Sequence, residues 1–261
     1  MSNAALSEQR IAPGVLQITL DRPFAANALN SQMGRELHDR FFNIALDAGD
    51  CRCVVLTGAG RHFCAGGDNR ERDGMSDQAW RRQHVVFEHA FRAVMECPIP
   101  VIAAVNGAAY GGGAELALCC DFIYVAQSAR FAFVETGLGI IPGGGGTQNL
   151  ARAVGVRRAR ELLYTGQVIT SHDALSWGMV NQVTDDDSLL SSALQTASVI
   201  ASRAPIAVRQ AKLAATRGVE ADLATGLALE IEAYNRTVST ADRREGVAAA
   251  REKRTPIFTG E

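Results

Sequence analysis

The chain has 261 residues, of which 47% are hydrophobic and 21% are charged, and its formal net charge is −2. This length and balance predict a globular protein with a sizeable core, built as one large domain or as one domain with an appendage. The small net charge gives no electrostatic argument for nucleic-acid binding, and no run approaches the ~18 apolar residues of a membrane-spanning helix. We therefore expect neither a nucleic-acid nor a membrane partner.

The cysteines indicate a reducing compartment. Several lie in apolar runs, where a free cysteine behaves as a small hydrophobic residue, and none has the Cys/His spacing of a zinc site. They are Cys51, Cys53, Cys64, Cys97, Cys119 and Cys120. The start of the chain also lacks the charged stretch followed by an apolar stretch that is typical of a signal peptide. We expect a cytoplasmic protein with no metal site.

The first half of the chain predicts an α/β fold, because short apolar strands alternate with helices as in a sheet that is covered on its faces. The predicted strands cover residues 15–20, 53–57, 99–105 and 122–126. Ser31 is expected to cap a helix over 32–48, a second helix ends before Cys97, and a third covers 114–120. The polar stretch 69–82 is predicted to be a mobile loop that leads into the second helix.

The second half of the chain is mainly helical. After Gly146 the sequence predicts a helical turn near 174–177, a last short strand over 180–183 and, from about Leu189, helices alone. We place a boundary near 195, which divides the chain into a core over 1–195 and a helical C-terminal region over 196–261. No low-complexity segment or fixed-period repeat is evident.

Two glutamates stand out because each lies among apolar residues beside glycine-rich backbone. Glu115 follows the run Gly-Gly-Gly-Ala at 111–114, and Glu135 precedes the run Pro-Gly-Gly-Gly-Gly at 142–146. Burying an ionised carboxylate is costly unless it is paired or hydrogen-bonded. Two such placements predict a site that uses a pair of carboxyl groups for acid–base chemistry.

The glycines allow more than one interpretation. The turn Ala-Gly-Gly-Asp at 65–68 is by itself typical of an ordinary turn, and a glutamate in a first helical turn also interacts favourably with the helix dipole. However, glycines before a helix can direct free N–H groups at a ligand oxygen and so form an oxyanion hole. The run 137–146 fits neither a phosphate-binding loop nor a dinucleotide fingerprint, because it lacks the lysine and Pro142 interrupts it.

The histidines lie in polar stretches and are expected to be surface residues. They are His38, His62, His84, His89 and His172. His84 and His89 share one predicted helix but lie five residues apart, on different faces. No histidine-based metal motif or serine nucleophile elbow is present.

Several segments, taken together and in this order, resemble one family. They are DRPFAANAL at 21–29, FCAGGD at 63–68, PVIAAVNG at 100–107, the segments 111–121 and 134–150, DRREG at 242–246 and EKR at 252–254. This pattern is similar to that of the crotonase family, which comprises the enoyl-CoA hydratases and isomerases. The resemblance covers nearly the whole chain.

The resemblance implies a fold and a ligand. The fold is a crotonase-like spiral of ββα units in the α/β class, with a C-terminal helical region that forms homotrimers or homohexamers. The ligand is an acyl thioester of coenzyme A, which is part of the substrate, so no separate cofactor is implied. Gly67 and Gly112 match the oxyanion-hole positions, where their N–H groups would hold the thioester oxygen as it becomes an enolate. Gly67 replaces an alanine that is common in hydratases.

The resemblance also implies a reaction. Glutamates occupy both positions that hydratases use, which implies reversible addition of water across the α,β double bond of an enoyl-CoA. Glu115 is assigned as the base that activates water and Glu135 as the donor of a proton to the α-carbon, although coupled carboxyls can share or exchange these roles. An isomerase of the same fold is the main alternative. A non-catalytic acyl-CoA binder is disfavoured by the two costly carboxylates.

Further substrate contacts follow from the resemblance alone. They are assigned to Ala25, Ala65, Asp68, Gly111, Pro142, Gly143 and Lys253. The chain looks most similar to the methylglutaconyl-CoA hydratase branch, some members of which bind RNA through a lysine-rich helix. The helix after Ser31 contains no lysine, so RNA binding is not expected. The charged stretch 69–82 favours a short or polar acyl group, and a flexible solvated loop explains it equally well.

Overall fold

A computed structural model describes residues 4–261, so the part of the signal-peptide expectation that concerns residues 1–3 lies outside it. The strands are β1 (Leu6–Ala12), β2 (Val15–Leu20), β3 (Cys53–Gly58), β4 (Val101–Val105), β5 (Ala108–Tyr110), β6 (Phe122–Ala126), β7 (Arg130–Ala132), β8 (Ile169–Thr170) and β9 (Gln182–Thr184). The helices are α1 (Ser31–Leu46), α2 (Asn69–Arg72), α3 (Asp77–Met95), α4 (Gly112–Cys119), α5 (Gly146–Val154), α6 (Val156–Thr165), α7 (Ser171–Ser176), α8 (Leu189–Ala201), α9 (Pro205–Gly218), α10 (Leu223–Val238) and α11 (Ala241–Glu252). Short 3-10 helices cover Pro23–Ala25, Glu135–Leu138 and Asp186–Ser188.

The larger sheet has the strand order β1-β2-β3-β4-β6-β9. Its first pair is antiparallel, and the pairs from β2 to β9 are parallel. Every residue of β3 and β4 is buried, because a parallel sheet is covered on both faces. The four apolar strands expected from the sequence are confirmed, with β4 beginning two residues later than expected, after Pro100.

A smaller sheet joins β5, β7 and β8. β5 runs parallel to β7, and β7 runs antiparallel to β8. A parallel bridge from Cys64 to Ala109 attaches the turn 64–68 to this sheet. The sequence did not predict these strands because two or three residues are too short to show an alternating pattern. It also did not predict β1, whose central five residues are exposed and mostly polar.

Two local predictions in the first half of the chain are wrong. Asn30, and not Ser31, caps α1: its side chain accepts a hydrogen bond of 2.9 Å from the Met33 N–H, and its backbone is extended. Ser31 is already helical and donates its N–H to Glu71 Oε2. The stretch 69–82 is not one loop, because it contains α2 and the first six residues of α3, which Ser76 caps.

Fully buried side chains fix the segments that carry the glycines and glutamates. Phe63, Leu116 and Phe133 are each at most 1% exposed, and each lies next to or within two residues of a candidate site segment. Burying a side chain of this size contributes about 1.5–3 kcal/mol to folding. The site backbone is therefore anchored to the main core at several points.

The C-terminal helices pack less completely than the rest of the chain. Residue 195, where we expected the boundary, lies inside α8, and that helix packs on β3 and β4. Among the described residues of α9 none is fully buried, and α10 buries Ala233 alone. One attachment to the core is Lys212, which pairs with Asp121 at 2.7 Å.

All six cysteines are free and buried. Burial raises the pKa of Cys64 to about 12 and that of Cys97 to about 11, so neither thiol is ionised at neutral pH. Within residues 4–261, no three His, Cys, Asp or Glu side chains are grouped so as to hold a metal ion. Over the same residues, no helix combines the length and the apolar character that crossing a bilayer requires.

Candidate active site

A cavity of about 810 Å³ lies between α3, the start of α4, the turn at 65–67 and the segment 134–144. It brings together most of the residues that the sequence assigned to the site: Ala65, Gly67, Gly111, Gly112, Glu115, Glu135, Pro142 and Gly143. The remaining walls are largely apolar. An apolar cavity with a few converging polar groups is the usual form of a small-molecule site.

Glu115 lies in the first turn of α4 and is 4% exposed. Its Oε1 atom accepts hydrogen bonds from the backbone N–H groups of Gly144, at 2.7 Å, and Gly146, at 2.8 Å. Burial raises the pKa of Glu115, and these N–H groups oppose that rise because they stabilise the ionised form. The glycine run 143–146 therefore holds one of the two carboxylates.

Glu135 begins the 3-10 helix Glu135–Leu138 and is 6% exposed. Neither oxygen of its carboxyl group has a hydrogen-bond partner among the described residues. Burial, and to a smaller extent the negative charge of Glu115, raise the pKa of Glu135 to about 7. A buried carboxyl group without a partner that titrates near neutral pH is suited to proton transfer.

The two glutamates therefore have different surroundings although they line one cavity. Glu115 is held by two backbone donors, which favour its ionised form, whereas Glu135 lacks such donors. Carboxyl groups whose environments separate their pKa values can act as base and acid in one reaction.

The two predicted oxyanion donors lie on adjacent segments of the cavity wall. Leu29 and Gly67 form a parallel bridge, in which the Leu29 N–H donates to the Gly66 carbonyl and the Leu29 carbonyl accepts from the Asp68 N–H. In a parallel bridge of this kind the N–H of the intervening residue, Gly67, points away from Leu29. Gly112 is the first residue of α4, where an N–H has no partner within the helix. A Cβ added to Gly66 would lie 3.5 Å from the Gly112 nitrogen, which shows how closely the segments approach.

Gly111 has to be glycine for two reasons. Its φ of +48° lies in a region that side chains disfavour, and the turn that starts α4 requires this conformation. A Cβ at this position would also lie 3.0 Å from Glu135 Oε1. Gly111 therefore brings the start of α4 close to the second glutamate.

Three residues that the resemblance assigned to substrate contacts do not line the cavity. Asp68 is 7% exposed, forms an ion pair with Arg22 at 2.9 Å, and caps α2. Ala25 ends the short helix Pro23–Ala25 and is half-buried. Lys253 is exposed at the end of α11.

His84 was predicted to be a surface residue, and the structure places it in the cavity wall. A Cβ on Gly143 would lie 2.9 Å from His84 Nε2, so the imidazole lies directly against the glycine run that holds Glu115. Its position follows from helical spacing, because His84 is four residues after Trp80 and three before Phe87 on the inner face of α3. The same spacing is visible in the sequence.

A model of the enoyl-CoA hydratase/isomerase family matches residues 10–261 of the chain. The chain belongs to this family. Among solved structures, the enoyl-CoA hydratase of Bacillus anthracis superposes with a TM-score of 0.96 at 44% identity, covering 98% of this chain and all of that one. The predicted crotonase fold is thereby confirmed.

Curated members of the family match over most of their length. The putative enoyl-CoA hydratase/isomerase YngF of Bacillus subtilis is 46% identical over 244 residues, which cover 93% of this chain and 94% of YngF. The short-chain-enoyl-CoA hydratase of Clostridium acetobutylicum is 42% identical over 241 residues, 92% of each chain. The mitochondrial methylglutaconyl-CoA hydratase of mouse is 37% identical over 252 residues, covering 95% of this chain and 80% of the relative. The chain therefore resembles the methylglutaconyl-CoA hydratase branch, and it resembles other members of the family at higher sequence identity.

Proposed function

We propose that this protein catalyses the reversible hydration of an enoyl-CoA thioester, with Glu115 and Glu135 as its acid–base pair. The observation that carries the proposal is the convergence of two differently held, buried carboxyl groups on one apolar cavity. Relatives and solved structures with the name enoyl-CoA hydratase support it. The roles of individual residues rest on the family resemblance together with the geometry of the site.

In the proposed mechanism, the ionised Glu115 accepts a proton from a water molecule as that water's oxygen forms a bond to the β-carbon. The electron pair of the double bond moves towards the thioester oxygen, giving an enolate. Glu135, protonated, then donates its proton to the α-carbon. One proton passes from Glu115 to Glu135 to restore the starting state, and the reverse sequence removes water.

The N–H groups of Gly67 and Gly112 are proposed to stabilise the enolate oxygen. Donors that are fixed before the reaction stabilise developing charge without reorganising, and loss of one such donor costs about 3–4 kcal/mol in other enzymes. Glycine at both positions lets the thioester approach the backbone closely. The proposed reaction needs no metal or redox cofactor, since water and two carboxyl groups supply every proton transfer.

Hydration of crotonyl-CoA tests the proposal directly. We expect wild-type protein to remove the absorbance of the conjugated thioester, and in deuterated water to place deuterium at the α-carbon. The same preparation is given a β,γ-unsaturated acyl-CoA, for which an isomerase would show a gain in that absorbance. Binding of acyl-CoA ligands without turnover of crotonyl-CoA, of glutaconyl-CoA, which carries a carboxylate at the end of its acyl chain, or of the β,γ-unsaturated acyl-CoA would contradict both the hydratase and the isomerase and would support a non-catalytic binder.

A homotrimer or a dimer of trimers is part of the proposal. One face of α10 exposes the apolar side chains of Leu223, Leu227, Ile231 and Tyr234, each more than half exposed. An unpaired apolar face of this kind is typical of a subunit interface. Light scattering on the purified protein tests this point, and Ile231→Asp is expected to lower the measured mass.

We also propose a cytoplasmic location. Its support is the set of six free, buried thiols, which is typical of a protein in a reducing compartment. Neither a nucleic acid nor a membrane is a proposed partner. Fractionation of cells that express the chain tests the location.

A further inference from the structure

Arg72, at the end of α2, has no role in the hydration mechanism, yet it lies in the cavity wall next to the proposed oxyanion hole. A Cβ on Gly67 would lie 2.6 Å from the Arg72 guanidinium carbon, which is closer than packed atoms tolerate. The absence of a side chain at Gly67 therefore leaves space that this guanidinium fills.

The guanidinium is held in place from several sides. It lies 4.6 Å from the ring centroid of Trp80 and 5.5 Å from that of Phe87, as cation–π contacts require. Arg72 Nε donates to Gln83 Oε1 at 3.0 Å. These contacts fix both the plane and the position of the group.

Gln83 is itself fixed. It is 5% exposed, and its amide nitrogen donates to Glu71 Oε2 at 2.7 Å and to Ser31 Oγ at 3.1 Å. The Ser31 N–H donates to the same Glu71 oxygen at 2.8 Å. A partly buried network that spans α1, α2 and α3 thus orients one cationic side chain.

Among the residues that the structure describes, Arg72 has no directly paired anion, although the carboxyl groups of Glu71, Glu135, Asp68 and Glu115 lie near enough to act on its charge. Within residues 4–261 no carboxylate forms an ion pair with it, and its two terminal nitrogens make no hydrogen bond. Burial lowers the pKa of Arg72, as expected for a cation that is partly removed from water. Two further basic side chains, Arg81 and His84, line the same cavity.

We propose that Arg72 binds a carboxylate carried by the acyl group of the substrate, beyond the reacting double bond. A guanidinium with both terminal nitrogens unused presents the planar pair of donors that matches a carboxylate. The inference rests on the proposed hydratase function and narrows its substrate to acyl-CoA thioesters with an anionic acyl end. The apolar remainder of the cavity then accommodates the carbon chain.

Binding of two saturated acyl-CoA ligands tests the inference without any turnover. Glutaryl-CoA and pentanoyl-CoA differ only in whether the acyl chain ends in a carboxylate or a methyl group. We expect calorimetry on the wild-type protein to show glutaryl-CoA binding at least about tenfold more tightly, the scale of a hydrogen-bonded charge pair. Equal binding, or preference for pentanoyl-CoA, would overturn the inference.

Substitutions assign the preference to Arg72. The ratio of the two dissociation constants is measured on each variant, so that a general loss of affinity cancels. Arg72→Met is expected to abolish the preference, and Arg72→Lys to retain part of it through its charge. Arg70→Met is the matched control, because Arg70 is an exposed arginine on the same helix and does not line the cavity. A preference that survives in Arg72→Met would contradict the assignment.

Measuring hydration rates distinguishes failure of the carboxylate-site inference from failure of the proposed hydratase function on which it rests. Glutaconyl-CoA and the corresponding α,β-unsaturated pentenoyl-CoA are the reactive counterparts of the two ligands. Hydration of pentenoyl-CoA at least as fast as that of glutaconyl-CoA would overturn the inference and leave the hydratase standing. Preferential binding of glutaryl-CoA without hydration of either reactive ligand would overturn the hydratase and leave the carboxylate site standing.

Discussion

Glu115 accepts a hydrogen bond of 2.8 Å at Oε1 from the backbone N–H of Gly146, a residue 31 positions further along the chain. Gly144 donates to the same oxygen. One carboxylate of the proposed pair is thus held by main-chain groups, whose position does not depend on side-chain rotamers. The first two predictions follow from this arrangement.

Glu115→Gln is expected to lower kcat for crotonyl-CoA hydration by about a hundredfold to ten-thousandfold, because general acid–base catalysis contributes that much. The amide oxygen of glutamine can still accept both N–H groups, so the thermal unfolding midpoint should change little. Glu161→Gln is the control, since Glu161 is an exposed glutamate on α6. A Glu115→Gln variant with nearly full activity would remove Glu115 from the mechanism.

Gly146→Ala is expected to disturb the same carboxylate through sterics alone. The added Cβ would lie 2.9 Å from both Cγ and Oε1 of Glu115, so the carboxylate has to shift. Because small displacements of a catalytic group are costly, kcat should fall by about tenfold or more. Gly137→Ala provides the matched comparison, since an added Cβ there meets nothing within 4 Å. Equal kcat values for the two variants would contradict the structural argument.

Glu135 should reduce the stability of the protein as pH rises. Burial raises its pKa from 4.5 to about 7, so between these values the folded state holds a proton that the unfolded state has lost. The contribution that favours folding is present at low pH and is lost as pH rises through about 7. Glu135→Gln lacks this effect and should exceed wild type in unfolding free energy by about 3 kcal/mol above pH ~7. Denaturant titrations from about pH 4 to about pH 8 measure the difference, which should shrink towards acid pH.

The same carboxyl group should set the alkaline limb of activity. Hydration requires protonated Glu135 in the proposed mechanism, so kcat/KM, which reports groups of the free enzyme, should fall about tenfold per pH unit above the pKa of about 7. The pH profile of kcat/KM for crotonyl-CoA gives this limb. Residual activity of Glu135→Gln should show no such limb near neutral pH. A wild-type profile that stays flat well above pH ~7 would exclude Glu135 as the acid.

Asp68→Asn should affect stability more than substrate binding. Asp68 pairs with Arg22 and caps α2, and although burial alone raises its pKa, these partners hold the pKa below its usual value. Loss of the charge-assisted bonds should lower the unfolding free energy by about 1–3 kcal/mol. Asp73→Asn is the control, because Asp73 is an exposed carboxylate just after α2, and it should leave the unfolding free energy unchanged. A raised KM at unchanged stability would instead support the substrate contact that the resemblance implied.

The sequence predicted the parts of the candidate site that are local in the chain. Glu115 and Glu135 were recognisable because a glutamate in an apolar run beside glycines conflicts with ordinary burial preferences. Gly67 and Gly112 were recognisable only through the family pattern, since a glycine turn by itself fits many structures. The principal strands were predicted because continuous apolar runs between turns report a covered sheet.

The tertiary structure alone decided which distant side chains share the cavity. Arg72 and His84 lie on α2 and α3, in and just beyond a stretch that reads as a polar loop, and packing of α3 against the glycine segments turns both into the cavity wall. Asp68 lies one residue beyond Gly67, yet its side chain pairs with Arg22. Hydrophobic periodicity and helix or strand propensity predict the secondary structure of a segment and which of its faces is buried. Contacts between segments depend on how whole elements pack, which no local pattern encodes.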